Sequence, residues 1–267
     1  MTELKRRWIT AVVAVPILIL IIQSSMALTT LAVIATLIAL HEYYEIMLKE
    51  LEFFHPIRLL GLAIGAYIII LSYTNRIHFI PALLFLNCLI ASLFSLYFYE
   101  KDKQLPLSIC KQTFGIIYVS ILMSFLIRIR IGNNGAMWLY MTFAFIIACD
   151  TGAYFVGKQW GKNKLIPAIS PGKTLEGLLG GYFACFMIVL ICKLLFIPTL
   201  TWPVSLYMTF FIGSVGPLGD LFESMLKRSS GIKDSGSIFP GHGGILDRID
   251  GLLFIGPVVF YIKEYFV

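Results

Sequence analysis

Long apolar runs alternate with short polar interruptions along almost the whole chain. Each run is close to the roughly 20 residues a helix needs to cross the hydrocarbon core of a bilayer. The pattern predicts nine membrane-crossing helices, at about 8–27, 28–47, 57–74, 77–99, 105–127, 135–157, 175–197, 202–226 and 249–266. Tight breaks near Gln23–Thr30 and at Thr74–Arg76 leave the number open between eight and ten. The runs are continuous rather than short and alternating, which argues against a β-barrel. Helices satisfy their own backbone in lipid, so helices are expected. The basic, then apolar, beginning has the outline of a signal peptide. Further runs follow at once, so a retained first helix is expected.

Composition agrees with this pattern. Of 267 residues, 58% are hydrophobic and 13% charged, against roughly 45–50% apolar and about 25% charged in soluble domains. The fold class is all-α, a polytopic integral membrane protein. Cys88, Cys110, Cys149, Cys185 and Cys192 form no CxxC and lie in or beside apolar runs. They read as small buried hydrophobes rather than a disulfide frame or metal site. No repeat or linker divides the chain. The first half is mostly apolar runs with short connections, and from Asp150 onward charged and glycine-rich segments recur. One continuous membrane domain is expected, with scaffold helices in 1–130 and a catalytic half in 131–267.

The net charge of +6 is unevenly placed. With a cytoplasmic N-terminus, only Arg76, Arg128, Arg130, Lys193 and Lys263 of the 21 basic residues fall on the far side. That bias follows the positive-inside rule. It puts the polar loops 158–174 and 227–248 on the cytoplasmic face, where they suit an anionic substrate or lipid surface.

Candidate chemistry sits in these loops and the helices beside them. Asp220 lies within the apolar run GSVGPLGDLFESMLKRSS, where an ionised carboxylate is costly and points to function. Glu223 and Lys227 share its helical face. An internal Asp–Lys pair that aids packing would account for the charges alone. It would not account for Gly213, Gly216, Pro217 and Gly219, which loosen a helix where its backbone lines a cavity. In the stretch from Lys227 to Gly251, Lys227, Arg228, Lys233 and Arg248 surround a turn in which Gly241, Gly243 and Gly244 flank His242. Successive N–H groups in such a turn can nest an anion. Asp247 and Asp250 share a face at the start of the last run. Carboxylates amid bases suggest Mg²⁺ holding a polyphosphate, because Mg²⁺ usually takes one or two carboxylates plus substrate phosphates. A solvated loop with surface ion pairs is the plainer alternative; the clustered glycines, lone His and paired aspartates weigh against it. His242 has no partner cluster for zinc, and His41, His55 and His78 read as interfacial or structural.

In ISPGKTLEGLLGG, Pro167 stands where a P-loop needs its first glycine. A Walker-type nucleoside triphosphatase is therefore excluded. Lys173 lies near a helix N-terminus, which favours anions. Ser170 or Thr174 caps that helix, with Glu176 in its first turn. Capping does not account for Lys173, which opposes the helix dipole unless a phosphate sits there. Asp150, with Tyr154 and Gly157 on its face, is another intramembrane acid. Packing and function both stay open for it, as they do for HEYYE at 41–45.

The stretch from Ser224 to Asp250 resembles the signature of the phosphatidate cytidylyltransferases, or CDP-diacylglycerol synthases. The matching residues are Ser224, Lys227, Arg228, Lys233, Asp234, His242, Gly243, Gly244, Asp247, Arg248 and Asp250. The segments around Asp150–Gly157 and Ser170–Glu176 are also similar to that family. The resemblance implies an integral membrane enzyme of phospholipid biosynthesis that joins CTP and phosphatidate, giving CDP-diacylglycerol and pyrophosphate with Mg²⁺. It implies that Asp220 and Asp247 bind the metal centre, with one or two cations, and that the protein is a homodimer. Catalysis is then expected of Asp220, Asp247, Lys173 and Asp250. Substrate contact is expected of Asp150, Ser170, Thr174, Glu176 and the signature residues. The expected location is the inner (cytoplasmic) membrane, with no nucleic-acid partner. Two rivals stand beside this reading. One is a CTP-dependent enzyme acting on another lipid, such as an isoprenoid alcohol. The other is an organic-anion transporter built around Asp220, although transporters often repeat their broken helix and GSVGPLGD has no earlier counterpart.

Overall fold

The computed structural model describes residues 16–236 and 243–267. Residues 16–23 are helical. They are followed by α1 (Ser25–Met47), α2 (Pro56–Tyr73), α3 (Ile80–Phe98), α4 (Leu105–Ile131) and α5 (Gly135–Trp160). An antiparallel hairpin of β1 (Lys164–Ile166) and β2 (Ser170–Thr174) comes next. The remaining helices are α6 (Leu175–Leu195), α7 (Trp202–Ser229) and α8 (Leu246–Phe266). This is a multi-pass, all-α membrane protein with one small hairpin. Among the described residues seven spans, α1 to α7 with the turn before α3, are long and apolar enough to cross a membrane. Of the nine expected, α8 has the length but carries Asp247, Arg248, Asp250, Lys263 and Glu264. The first span is described only from residue 16.

The break between the first two spans falls at Ser24. Its hydroxyl caps α1 by accepting from the Ala27 N–H at 3.3 Å. Arg130 donates to the carbonyls of Ile22 and Gln23 just before it. A cation at a helix C-terminus satisfies carbonyls that have no helical donor. Arg58, buried at the start of α2, does the same for the end of α1, reaching the carbonyls of Tyr44 and Leu48 and pairing with Glu45.

The chain divides into two compact units, Met1–Ala136 with Ser235–Ile245, and Met137–Asp234 with Leu246–Val267. In the first, Gly61 and Gly65 let α2 approach α1: a Cβ on either would lie 2.1 Å from the Tyr44 hydroxyl or 2.3 Å from Leu40. Ile64, Ile68 and Ile116 form a core beside them. Asn87 and Gln112 exchange amide hydrogen bonds of 3.1 and 2.9 Å inside this apolar setting. Within α4, residues Ile116–Ile121 wind as a π-helix, which the hydrophobic pattern does not reveal.

In the second unit, α6 packs on α5 through small residues. A Cβ on Gly152 would lie 2.6 Å from the Gly180 carbonyl oxygen. Small residues of this kind let membrane helices meet backbone to backbone. Backbone cannot move aside as a side-chain tip can, so Gly152→Leu is expected to destabilise the detergent-solubilised protein by about 1–3 kcal/mol. Leu179→Ala, at an exposed α6 position, should leave thermal stability nearly unchanged. Equal melting temperatures for the two variants would contradict this packing. The other face of α6 meets α7, where the Tyr182 and Ser214 hydroxyls are 2.6 Å apart.

Candidate active site

The site is built on α7 and α8, with α5 and the hairpin beside them. Pro217 interrupts α7, removing the N–H that would bond to the Gly213 carbonyl. Gly219 has no side chain where α8 crosses: a Cβ there would be 2.6 Å from the Asp250 carbonyl oxygen. That close approach brings the acids of the two helices to one place. Asp150, Asp220, Asp247 and Asp250 all line a cavity of about 220 Å³, together with Arg248. Asp150 and Asp220 also line a second cavity of about 440 Å³, whose wall includes Tyr154, Lys158, Ser170, Lys173 and Thr174. That volume lies within the range of small-ligand sites.

Two lysines neutralise part of this acidity. Lys173 Nζ lies 2.6 Å from Asp220 Oδ2 and donates to the Pro217 carbonyl at 3.2 Å. The pair is partly open to the surroundings, with the Asp220 side chain 46% exposed. Lys227 is enclosed and pairs with both Glu223 and Asp247. The Glu223 side chain is only 1% exposed. Neither of its oxygens has a hydrogen bond of good geometry among the described residues, so the ion pair is its compensation. Ser224 Oγ donates to Asp220 Oδ1 at 3.4 Å.

The hairpin positions Lys173. Thr174 ends β2 and caps α6, its hydroxyl accepting from the Gly177 N–H at 3.1 Å. Of the two capping candidates, Thr174 is therefore the one used. Glu176 reaches back to the turn before β1, accepting from the N–H groups of Lys162 and Asn163 and from Asn163 Nδ2 at 2.8 Å. Glu176 thereby ties the first turn of α6 to the turn before β1, a structural role.

The expected residues thus fall into groups. Asp150, Ser170, Lys173, Thr174, Asp220, Asp247, Arg248 and Asp250 line the two cavities. Ser224 and Lys227 touch lining aspartates. Arg228 braces the hairpin, donating to the Ile169 and Ile232 carbonyls. Glu176, Lys233 and Asp234 line neither cavity, and Lys233 and Asp234 are exposed. Gly243 and Gly244 belong to the first unit. Gly241 and His242 lie outside the described residues. Sequence reasoning placed Glu223 on the right face without giving it a role. It also passed over Lys158, which continues the Asp150–Tyr154 face by one further turn.

A divalent cation fits the donor chemistry. Among the described residues, no three His, Cys, Asp or Glu side chains already form a complete ligand cage. Mg²⁺ does not require one, because it is usually held by one or two carboxylates together with waters and substrate phosphates. Asp220 and Asp247 on the small cavity offer oxygen donors of that kind.

The family model for the cytidylyltransferases matches residues 5–266. The chain belongs to the cytidylyltransferase family. A phosphatidate cytidylyltransferase of Staphylococcus aureus is 36% identical over 261 residues, covering 96% of this chain and 97% of that protein. One from Thermotoga maritima is 33% identical over 274 residues, 98% of this chain and 97% of that protein. One from Bacillus subtilis is 41% identical over 155 residues, which is 58% of each. As a member of this family the chain is a nucleotidyltransferase, and a transporter reading is set aside.

Proposed function

We propose that this protein transfers the cytidylyl group of CTP to phosphatidate, giving CDP-diacylglycerol and pyrophosphate. The observation that carries the reading is the convergence of Asp150, Asp220, Asp247 and Asp250 on one small cavity within membrane-spanning helices, beside Lys173 and Arg248. With a divalent cation between them, such carboxylates can hold the phosphates of a substrate. The names of the full-length relatives add the substrate class.

The reaction needs no covalent enzyme intermediate. A phosphate oxygen of phosphatidate forms a bond to the α-phosphorus of CTP. The bond from that phosphorus to the β-phosphoryl oxygen breaks, and pyrophosphate leaves with the electron pair. Phosphatidate supplies an already ionised oxygen near neutral pH, so no general base is assigned. Catalysis is then positioning and charge neutralisation. A bound Mg²⁺, held by Asp220 and Asp247, would supply neutralisation of the phosphates. Lys173 and Arg248 bring positive charge to the cavity walls. Lys227 fixes the side chain of Asp247 against α7. The clustering of basic residues in loops 158–174 and 227–248 supports a cytoplasmic opening, and the bacterial relatives support the cytoplasmic membrane.

Substrate exchange tests the proposal. Purified protein in detergent, given CTP and Mg²⁺, should release pyrophosphate with phosphatidate and not with an isoprenoid alcohol. Turnover with the alcohol and none with phosphatidate would overturn the reading.

A further inference from the structure

Helix α1 carries a carboxylate, Glu42, that is 3% exposed. Burying a carboxylate in a membrane-spanning helix is costly unless its oxygens find donors. Both do. Oε2 accepts from Ser235 Oγ and Oε1 from the Ile245 N–H, each at 3.0 Å. These donors lie about 200 positions along the chain from Glu42. Both lie in the segment that joins α7 to α8: Ser235 is six residues past the end of α7, and Ile245 immediately precedes α8.

Two glycines are pressed against the same carboxylate. A Cβ on Gly236 would lie 2.5 Å from Oε1, and one on Gly244 would lie 2.3 Å from Oε2. Gly243 has φ +77°, a backbone that favours glycine. The adjacent glycines therefore have separate reasons: Gly243 for conformation, Gly244 for space beside Glu42. One side chain ties Ser235 to Ile245, and the second tie is two residues before Asp247.

We propose that Glu42 is a positioning residue for cytidylyl transfer: it clamps Ser235 to Ile245 and so fixes where the chain enters α8 and presents Asp247. The activity part of this inference rests on the proposed function. Closing a loop at both ends removes conformations that would otherwise compete with the productive one. A misplacement of about 1 Å can lower a rate about 100-fold. Glu42 touches no reacting atom in this account and acts only through the segment it holds.

The test uses full-length protein in detergent with three variants: Glu42→Ala, Glu42→Gln and Gly244→Ala. Hydrogen exchange at the Ile245 amide reads the clamp, and kcat per folded molecule reads its consequence. Glu42→Ala should speed Ile245 exchange about tenfold, leave the α2 amides protected, and lower kcat about 100-fold with a smaller change in KM for CTP. Glu42→Gln should recover most of both, because its amide oxygen can accept from Ile245 while its NH₂ donates to Ser235 Oγ. Gly244→Ala keeps the carboxylate but crowds it, and should also lower kcat. Unchanged Ile245 exchange in Glu42→Ala would overturn the proposal, as would wild-type kcat per folded molecule in the Ala variants. Should Glu42→Ala not fold, wild-type kcat in Gly244→Ala overturns it by itself. Wild-type protein inert with CTP and phosphatidate would refute the proposed function, while the exchange result still decides the clamp.

Discussion

Asp220→Asn should lower cytidylyl transfer by about 10²–10³-fold while leaving the fold almost as stable as before. The two halves of that statement have separate causes. Asparagine keeps the shape of the side chain but removes the negative charge through which Asp220 would hold a cation against the substrate phosphates. The stability side is small because the Lys173–Asp220 pair is half open, and exposed ion pairs contribute about 0–1 kcal/mol. Asp247→Asn should lower activity comparably, but it also weakens a buried contact with Lys227 and should cost more stability. Activity should be read as pyrophosphate release, and stability as the midpoint of thermal unfolding in detergent. An Asp220→Asn enzyme with near wild-type turnover would remove this carboxylate from the mechanism.

Lys227→Met should destabilise the protein strongly. Lys227 is the ion-pair partner of Glu223, whose side chain is enclosed and lacks a well-formed hydrogen bond. Removing one partner of a buried pair leaves the other charge uncompensated, at a cost of about 3–5 kcal/mol. The double variant Glu223→Gln/Lys227→Met tests that cause. Neutralising Glu223 should restore much of the stability, because the uncompensated charge is gone. It should not restore turnover, since Asp247 still lacks the lysine that fixes it to α7. Recovery of both properties together would mean that Lys227 serves stability alone. No recovery of stability would mean that the charge left on Glu223 is not the reason for the loss.

The spans were legible in the sequence because the lipid requirement is one-dimensional: a run must be long enough and apolar enough, whatever it packs against. The α7–α8 aspartates were legible for a related reason, since carboxylates in such runs stand out. What pairs with what was not legible. The hairpin that carries Lys173 is short and rich in Pro and Gly, without the alternation that marks a strand. The π segment of α4 leaves no periodic trace among residues that are apolar on all sides. Glu223 and Lys227 were recognisable as neighbours on one helical face, yet the third member, Asp247, comes from another helix. Glu42 was visible within HEYYE, but its partners are about 200 residues away, and no local pattern connects them. The HGG glycines looked like an anion nest; the structure gives Gly243 a backbone reason and Gly244 a steric one.

The fate of label from CTP tests the proposed chemistry most directly. CTP labelled at the α-phosphorus and CTP labelled at the γ-phosphorus would be incubated separately with purified protein, Mg²⁺ and phosphatidate, and the lipid and aqueous phases separated. Cytidylyl transfer places the α label in the lipid phase and leaves the γ label in the water as pyrophosphate. Appearance of the γ label in the lipid phase, with none from the α position, would mean phosphoryl transfer and would contradict the account.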